Sequence, residues 1–285
     1  LLKTKIMGEH KVWLITGASK GMGLEITKAV LGNGDKVIAT SRNTDTLLEK
    51  VEEHKGTLLP IKLEVTNEKD VENAVLKGIE TFGQIDVVIN NAGYNLLGNI
   101  EEISDAEFRK TMDVNVFAMT HIIRHVLPHL RKQKSGLIIN TASMMGYMSY
   151  PANGSYSASK YAVIGLSEAL AQEVAPFGIK VTIMAPGTFR TNFMNEDTLN
   201  VAQHKIDAYN LDKQVEQFTG FDGKQLGNPK KLAEVVLQLA EMSNPPLHLP
   251  LGSDSYNAIL KVRKNEMEEM EEWKTLSLST DFEQH

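Results

Sequence analysis

Residues 11–34, KVWLITGASKGMGLEITKAVLGNG, decide how the rest of the chain is read. KVWLIT is almost continuously apolar, as a strand covered on both faces requires. It passes without a linker into the glycine-rich GASKGMG and then into a helical pattern that closes on Gly-Asn-Gly. Strand, glycine turn and helix in that order give the glycines a meaning they lack alone. Gly17, Gly21 and Gly23 let the backbone approach a pyrophosphate, whose charge then meets a helix N-terminus. Ser19, Lys20 and Met22 complete the predicted cofactor turn, whose spacing is T-G-x-x-x-G-x-G from Thr16. A tight turn with no ligand is the alternative.

Outward from this unit, β-rich runs at 11–16, 36–40, 58–65, 85–90, 136–142 and 180–186 alternate with helical patterns. The helices are expected near 22–33, 43–54, 67–82, 104–132 and 155–175. Such alternation predicts right-handed βαβ units and a doubly wound parallel sheet of the α/β class. Residues 188–228 are polar with isolated aromatics and read as a loop-helix segment covering a substrate. A helix follows Pro229, and LHLPLG (247–252) suits a last edge strand. From Ser255, Tyr256, Ile259, Leu260, Met267, Met270 and Trp273 recur at mostly helical spacing, which predicts a helix capping the domain, with an oligomer contact as the alternative. The division expected is one domain over 7–252 with its lid at 188–228, then a C-terminal helical extension at 253–285. Met7 reads as a natural start, with six residues added ahead of it.

The composition narrows the function classes. A net charge of -6 argues against a general nucleic-acid binder and an anionic membrane surface. The chain has no cysteine, which excludes disulfides, thiolate nucleophiles and zinc–thiolate sites. No apolar run is long enough to span a bilayer. A cytoplasmic location is the expectation.

Cofactor choice is written after the second strand. Sheets that bind NAD place Asp or Glu there to hold the ribose 2′-hydroxyl. This chain has VIATSRN, with Ser41 and Arg42 and no acid. A 2′-phosphate adds roughly two negative charges, which an Arg fork pairs with and an aspartate repels. With Lys20 as a second cation, NADP is predicted over NAD.

Ser143 lies thirteen positions before Tyr156, and Lys160 follows Tyr156 by four. On one helix the Tyr and Lys share a face, with Cβ atoms roughly 5–6 Å apart. Bringing a phenol from a pKa of about 10 to near neutrality takes about 4 kcal/mol. An ammonium about 4 Å away supplies that much at an effective dielectric near 20. The expectation is a proton donor tuned to neutral pH, with Ser143 donating to a substrate oxygen.

These residues together resemble the short-chain dehydrogenase/reductase family, in the bacterial hydroxysteroid-dehydrogenase-like and retinol-dehydrogenase-like branch. The match spans about Lys11 to Thr191, and it implies a Rossmann-type fold. TGASKGMG matches the family's cofactor turn. The Asn90–Gly93 motif, with Asn91, Ala92 and Gly93, matches the segment along the adenosine ribose. Asn115 matches the asparagine of the proton relay, and Ser143, Tyr156 and Lys160 the catalytic triad. Tyr156 and Lys160 also count as cofactor contacts, since the lysine anchors the ribose hydroxyls. PGTFRT (186–191) matches the stretch that fixes the nicotinamide carboxamide, with Pro186, Gly187, Phe189 and Thr191. Glu64 and Val65 stand where the family often has Asp-Val facing the adenine, and Glu can serve.

The resemblance implies NADPH-dependent reduction of a ketone or aldehyde, reversible in principle. Tyr94, Leu96, Met144, Met145, Phe189, Phe193 and Met194 suggest a bulky apolar substrate. Tyr147 and Tyr150 lack a lysine four residues on and read as pocket wall or packing; Tyr161 is expected beneath its helix. The alternatives are an acyl-carrier ketoester reductase and a non-catalytic NADP sensor. His121, His125 and His129 repeat every four residues, but no carboxylate or cysteine joins them at metal-ligand spacing, so no metal site is expected. By resemblance, helices 104–132 and 155–175 form the face of a homodimer or homotetramer, with these histidines near it.

Overall fold

A computed structural model describes residues 10–51 and 56–282. Met7 and the last residues of the helix expected at 43–54 lie outside the described residues. The chain runs β1 (Val12–Thr16), α1 (Gly21–Gly32), β2 (Lys36–Ser41), α2 (Asp45–Leu48), β3 (Leu58–Lys62), α3 (Glu68–Phe82) and β4 (Val87–Asn90). It continues with β5 (Leu96–Leu97), α4 (Asp105–Met112), α5 (Ala118–Gln133), β6 (Gly136–Thr141), α6 (Gly154–Val174) and β7 (Ile179–Pro186). The last elements are β8 (Asn200–Val201), α7 (Leu211–Thr219), α8 (Pro229–Glu241), β9 (His248–Leu251), α9 (Ser253–Glu272) and α10 (Lys274–Leu278).

The main sheet has the order β3-β2-β1-β4-β6-β7-β9, with every neighbouring pair parallel. The order reverses between β1 and β4, so a crevice opens beyond the C-terminal ends of those strands. Side chains of β1 alternate between two cores. Trp13 and Ile15 pack with Ile26 and Val30 of α1 and Val236 of α8. Val12 and Leu14 pack with Val75 of α3, Val126 of α5 and Val174 of α6. Both faces are therefore covered, which explains why the strand sequences are apolar without alternation.

The expected helix at 104–132 is α4 and α5 joined by a π-helical turn, Asp113–Phe117. Ser104 caps α4 in a reciprocal pairing with Glu107. Pro128 lies inside α5 rather than ending it. The 188–228 segment carries α7 as expected but also β8, which pairs with β5 in a two-stranded parallel sheet. Neither two-residue strand has a pattern long enough to read in sequence.

The tail departs most from expectation. α9 docks on the body over its first three turns: Ser255 and Ile259 are buried, the Ser255 hydroxyl donates to the Ala185 carbonyl at 2.8 Å, and the Arg263 guanidinium lies 5.3 Å from the Tyr147 ring centre. Tyr256, Leu260, Met267, Met270 and Trp273 are exposed, so most of the residues expected to form the capping face point to solvent instead.

Candidate active site

The site assembles where β1, β4, β6 and β7 end. Gly17 and Gly21 have φ of 67° and 56°, conformations that a side chain would strain. A Cβ on Gly23 would lie 2.4 Å from the Gly17 carbonyl oxygen, so the first turn of α1 folds directly onto the loop before it. Asn91 binds this loop to β4: its Nδ2 donates to the Thr16 carbonyl at 3.0 Å. The Thr16 hydroxyl accepts from the backbone N–H groups of Asn91 and Ala92, each at 3.0 Å. The result is a fixed cradle of backbone at a helix N-terminus, which suits a pyrophosphate.

Ser41, at the end of β2, is buried and donates to the Ser19 hydroxyl at 2.9 Å. Lys20 and Arg42, the next residues on either side of that bond, are exposed, and neither forms an ion pair with another described residue. Glu64 is exposed, and its carboxylate accepts from the Thr66 hydroxyl at 2.9 Å. Val65 faces a small cleft shared with Thr16, Ala92, Asn115 and Thr141.

Ser143, Tyr156, Lys160 and Asn115 are only 7 %, 8 %, 5 % and 3 % exposed, so they meet in an interior setting. Ser143 follows β6, and its hydroxyl accepts from the Met145 N–H at 3.1 Å while lying near enough to the Tyr156 phenol to lower its pKa. Tyr156 and Lys160 stack on successive turns of α6, with the ammonium 5.6 Å from the ring centre. Lys160 Nζ donates to the Thr141 carbonyl at 2.8 Å. Asn115 sits on the π-helical turn, a device that frequently marks functional sites. Its side chain accepts from the Tyr94 N–H at 3.0 Å and donates to the Tyr94 carbonyl at 2.9 Å. A Cβ on Gly93 would approach both Asn115 Oδ1 (3.1 Å) and Lys160 Nζ (3.7 Å). The four residues singled out in sequence are thus brought together.

Their protonation differs from the sequence arithmetic. Burial pushes the Tyr156 phenol up to about 12, and the Ser143 hydroxyl only partly opposes it. Burial pushes Lys160 down to about 8. The expectation of a phenol near neutrality counted the ammonium and omitted the desolvation that both groups undergo.

Pro186 ends β7, and Gly187 and Thr188 lie against Asp254. The Thr188 N–H and hydroxyl each donate to Asp254 Oδ2 at 2.7 Å. Thr191 rests against Gly21, whose Cβ would be 3.7 Å from the threonine side chain. The segment from Pro186 to Thr191 therefore reaches the glycine loop. Phe189 packs into the core beside α1 and α8, and Phe193 lies over Tyr156 with ring centres 6.0 Å apart. Of the apolar set, Leu96, Met145 and Met194 are buried and Phe193 is 40 % exposed, so packing claims part of that list.

Several site residues carried no sequence signal. Asp254 is one, 66 residues from Thr188. Glu102 is another: 1 % exposed, it accepts from the Ile206 N–H at 2.9 Å and from the Asn99 N–H and side chain at 3.0 and 2.8 Å. Burial opposes its charge, yet these bonds hold its pKa below the ordinary carboxylate range. Tyr147 is buried and hydrogen-bonds His248 at 2.7 Å, while Tyr150 is exposed. Tyr161 is 48 % exposed rather than packed beneath its helix.

A carboxylate does reach the histidine row, from another element. Glu68 of α3 lies 3.8 Å from His121 and 3.3 Å from His125 and also pairs with Arg124. The arginine neutralises that carboxylate, and no group of three or more potential metal ligands occurs among the described residues. No helix among the described residues is long and apolar enough to cross a membrane.

Residues 11–202 match the short chain dehydrogenase family model, and the chain belongs to that family. The oxidoreductase BOA17 of Botryotinia fuckeliana is 38 % identical over 276 residues, covering 95 % of this chain and 99 % of its own. The 3-ketodihydrosphingosine reductase of Bacteroides thetaiotaomicron is 35 % identical over 246 residues, covering 86 % of this chain and 88 % of its own. A short-chain dehydrogenase from Streptomyces avermitilis superposes with a TM-score of 0.86 at 34 % identity, covering 95 % of this chain and 100 % of its own. Two further structures are 27 % identical and hold nicotinamide cofactors. The 3-ketoacyl-(acyl-carrier-protein) reductase of Brucella melitensis carries NADH, with a TM-score of 0.73 over 87 % of this chain and 99 % of its own. ElxO carries NADP, with a TM-score of 0.70 over 85 % and 97 %. The chain is a short-chain oxidoreductase built on a nicotinamide-cofactor fold; the particular cofactor and substrate rest on its own residues.

Proposed function

We propose that this chain is an NADPH-dependent carbonyl reductase that reduces a bulky, apolar ketone or aldehyde. The observation that carries the reading is the buried meeting of Ser143, Tyr156, Lys160 and Asn115 beside a glycine cradle that fits a dinucleotide. In the cradle, Gly17, Gly21, Gly23 and the turn residues Ser19 and Met22 take the pyrophosphate. Lys20, Ser41 and Arg42 receive the 2′-phosphate, and Glu64 and Val65 face the adenine. Asn91, Ala92 and Gly93 lie along the ribose that Lys160 anchors, and Pro186, Gly187, Phe189 and Thr191 fix the carboxamide.

When bound, the reduced nicotinamide supplies a hydride to the carbonyl carbon. The hydroxyls of Ser143 and Tyr156 donate to the carbonyl oxygen, and Tyr156 gives up its proton as the new C–H bond forms. A phenol held near 12 is fully protonated at neutral pH, so the donor form is the one present. The phenolate left behind is stabilised by Ser143 and by the Lys160 ammonium. Asn115, clamped to Tyr94, positions the far side of the lysine for proton return. The 188–228 segment serves as lid, with Phe193 closing over Tyr156.

The Bacteroides relative is a 3-ketodihydrosphingosine reductase, which supports an apolar substrate. An acyl-carrier ketoester reductase shares the same residues, but a chain of net charge -6 is poorly suited to dock an acidic carrier. The test is loss of NADPH absorbance against aryl ketones, steroid ketones, long-chain 3-ketones and short ketoesters, with NADH and Tyr156→Phe alongside. Turnover with NADPH that falls by at least about 10³ in the mutant, with NADPH binding intact, is expected. Tight NADPH binding with no turnover on any carbonyl would overturn the reductase in favour of a sensor.

A further inference from the structure

Helix α9 carries two patterns that the oxidoreductase site does not use. Tyr256, Leu260, Met267 and Met270 follow one another at intervals of four, seven and three residues and share a face. Met267 and Met270 are 72 % and 73 % exposed, left bare by their own domain. The charges are also segregated. Lys261, Arg263 and Lys264 form a basic block, and Glu266, Glu268, Glu269, Glu271 and Glu272 an acidic one. The acidic block occupies the C-terminal end, with no basic residue in the last turn. That arrangement opposes the helix dipole, which favours cations there.

Intrahelical pairs relieve it only partly: Arg263 with Glu266 at 3.0 Å and Lys264 with Glu268 at 3.8 Å, followed by Lys274 with Glu271 at 2.9 Å. Lys261, Glu269 and Glu272 form no ion pair with another described residue. A sequence whose two halves carry opposite charge is complementary to itself when reversed.

We infer that α9 pairs with α9 of a second copy of this chain, antiparallel about a two-fold axis near Met267. Each basic block then lies along the acidic block of its partner, the dipoles run in opposition, and the methionine face is covered. About an axis near Met267, the two buried Ile259 anchors lie roughly 24 Å apart along the paired helices, sixteen residues at 1.5 Å each. This contact is isologous, as closed symmetric assemblies require. The pairing does not depend on the substrate or cofactor.

The test is the mass of the full chain in solution at micromolar concentration, by light scattering or sedimentation. Met267→Glu/Met270→Glu, on exposed positions, is expected to halve the mass while leaving far-UV circular dichroism and turnover per chain unchanged. An unchanged mass overturns the pairing. Orientation is read by cross-linking, which is unambiguous because the chain has no native cysteine. Met267→Cys, next to the axis, is expected to oxidise to a covalent dimer, whereas Leu260→Cys is not, its Cα atoms lying beyond the roughly 7 Å a disulfide spans. Cross-linking of both overturns the antiparallel arrangement. Flotation with phosphatidylcholine vesicles that depends on Met267 and Met270, with no change of mass, would assign the face to a lipid surface instead.

Discussion

The cofactor end and the C-terminal third are held together by different means. Around β1 and α1, restraint comes from the backbone: positive-φ glycines, a Gly23 with no room for a methyl group, and Thr16 and Asn91 joining adjacent strands at about 3 Å. From Thr188 onward, long-range side-chain carboxylates do the equivalent work. Asp254 holds Thr188, Glu102 holds Ile206, and α7 is drawn in through the bond from the Asn99 side chain to Gln214. A backbone-built site tolerates little change and suits a constant ligand. Side-chain anchors can be altered residue by residue while the sheet stays intact, which suits the segment proposed here to cover the substrate.

The strongest way to break this contrast is at Gly23. Gly23→Val puts a Cβ where 2.4 Å is available, so dinucleotide affinity, read by fluorescence titration, is expected to fall at least about 100-fold. Retained affinity would show that the loop can yield. Next is Lys160→Met. Activity is expected to fall about 100-fold at pH 7, consistent with the loss of one acid–base participant. Thermal stability is expected to rise, because a buried lysine depressed from 10.5 to about 8 disfavours folding by on the order of 3 kcal/mol at neutral pH.

The sign can be checked by titration. The folded pKa lies below the unfolded one, so the unfolded chain binds the extra proton between about pH 8 and 10.5. The Lys160 contribution therefore makes the wild type gain stability as pH rises through that window, and Lys160→Met removes the gain. Turnover of the wild type is expected to decline above about pH 8 as the ammonium is lost. A Lys160→Met variant less stable than wild type would mean that the bond to Thr141 outweighs desolvation.

Smaller effects sharpen the comparison. Ser41→Asp is expected to shift the ratio of kcat/KM for NADPH over NADH by about tenfold toward NADH, a repulsion of about 1.4 kcal/mol. No shift would remove the 2′-phosphate assignment. Glu102→Gln replaces a carboxylate that accepts three bonds, and is expected to raise substrate KM a few-fold with the cofactor Kd unchanged. Equal changes in both constants would show that Glu102 supports the whole domain rather than the cover.

Much of the site was legible because its signals are short-range. The spacing of Gly17, Gly21 and Gly23 follows from one turn, and that of Tyr156 and Lys160 from one turn of helix. The parallel sheet followed from alternating apolar strands and helices, and Asn115 and Thr191 from their resemblance to family motifs. Which side of α9 meets the domain was not legible, because spacing reveals an apolar face without saying what covers it. The β5–β8 pairing was missed because two-residue strands have no period to detect.

By itself, then, the sequence determined the strand-turn-helix unit, the α/β class, the glycine turn after β1 and the placing of Tyr156 and Lys160 on one helix face. Each is encoded within a few residues or in a repeating pattern. Tertiary structure alone decided that Asp254 and Glu102 restrain segments 66 and 104 residues away, and that Glu68 turns from a solvated acid into a partner for Arg124. It also decided that burial outweighs the ammonium at Tyr156. The reason is that desolvation and long-range hydrogen bonding depend on which surfaces meet, and that is fixed only when the sheet, its helices and the cover are packed together.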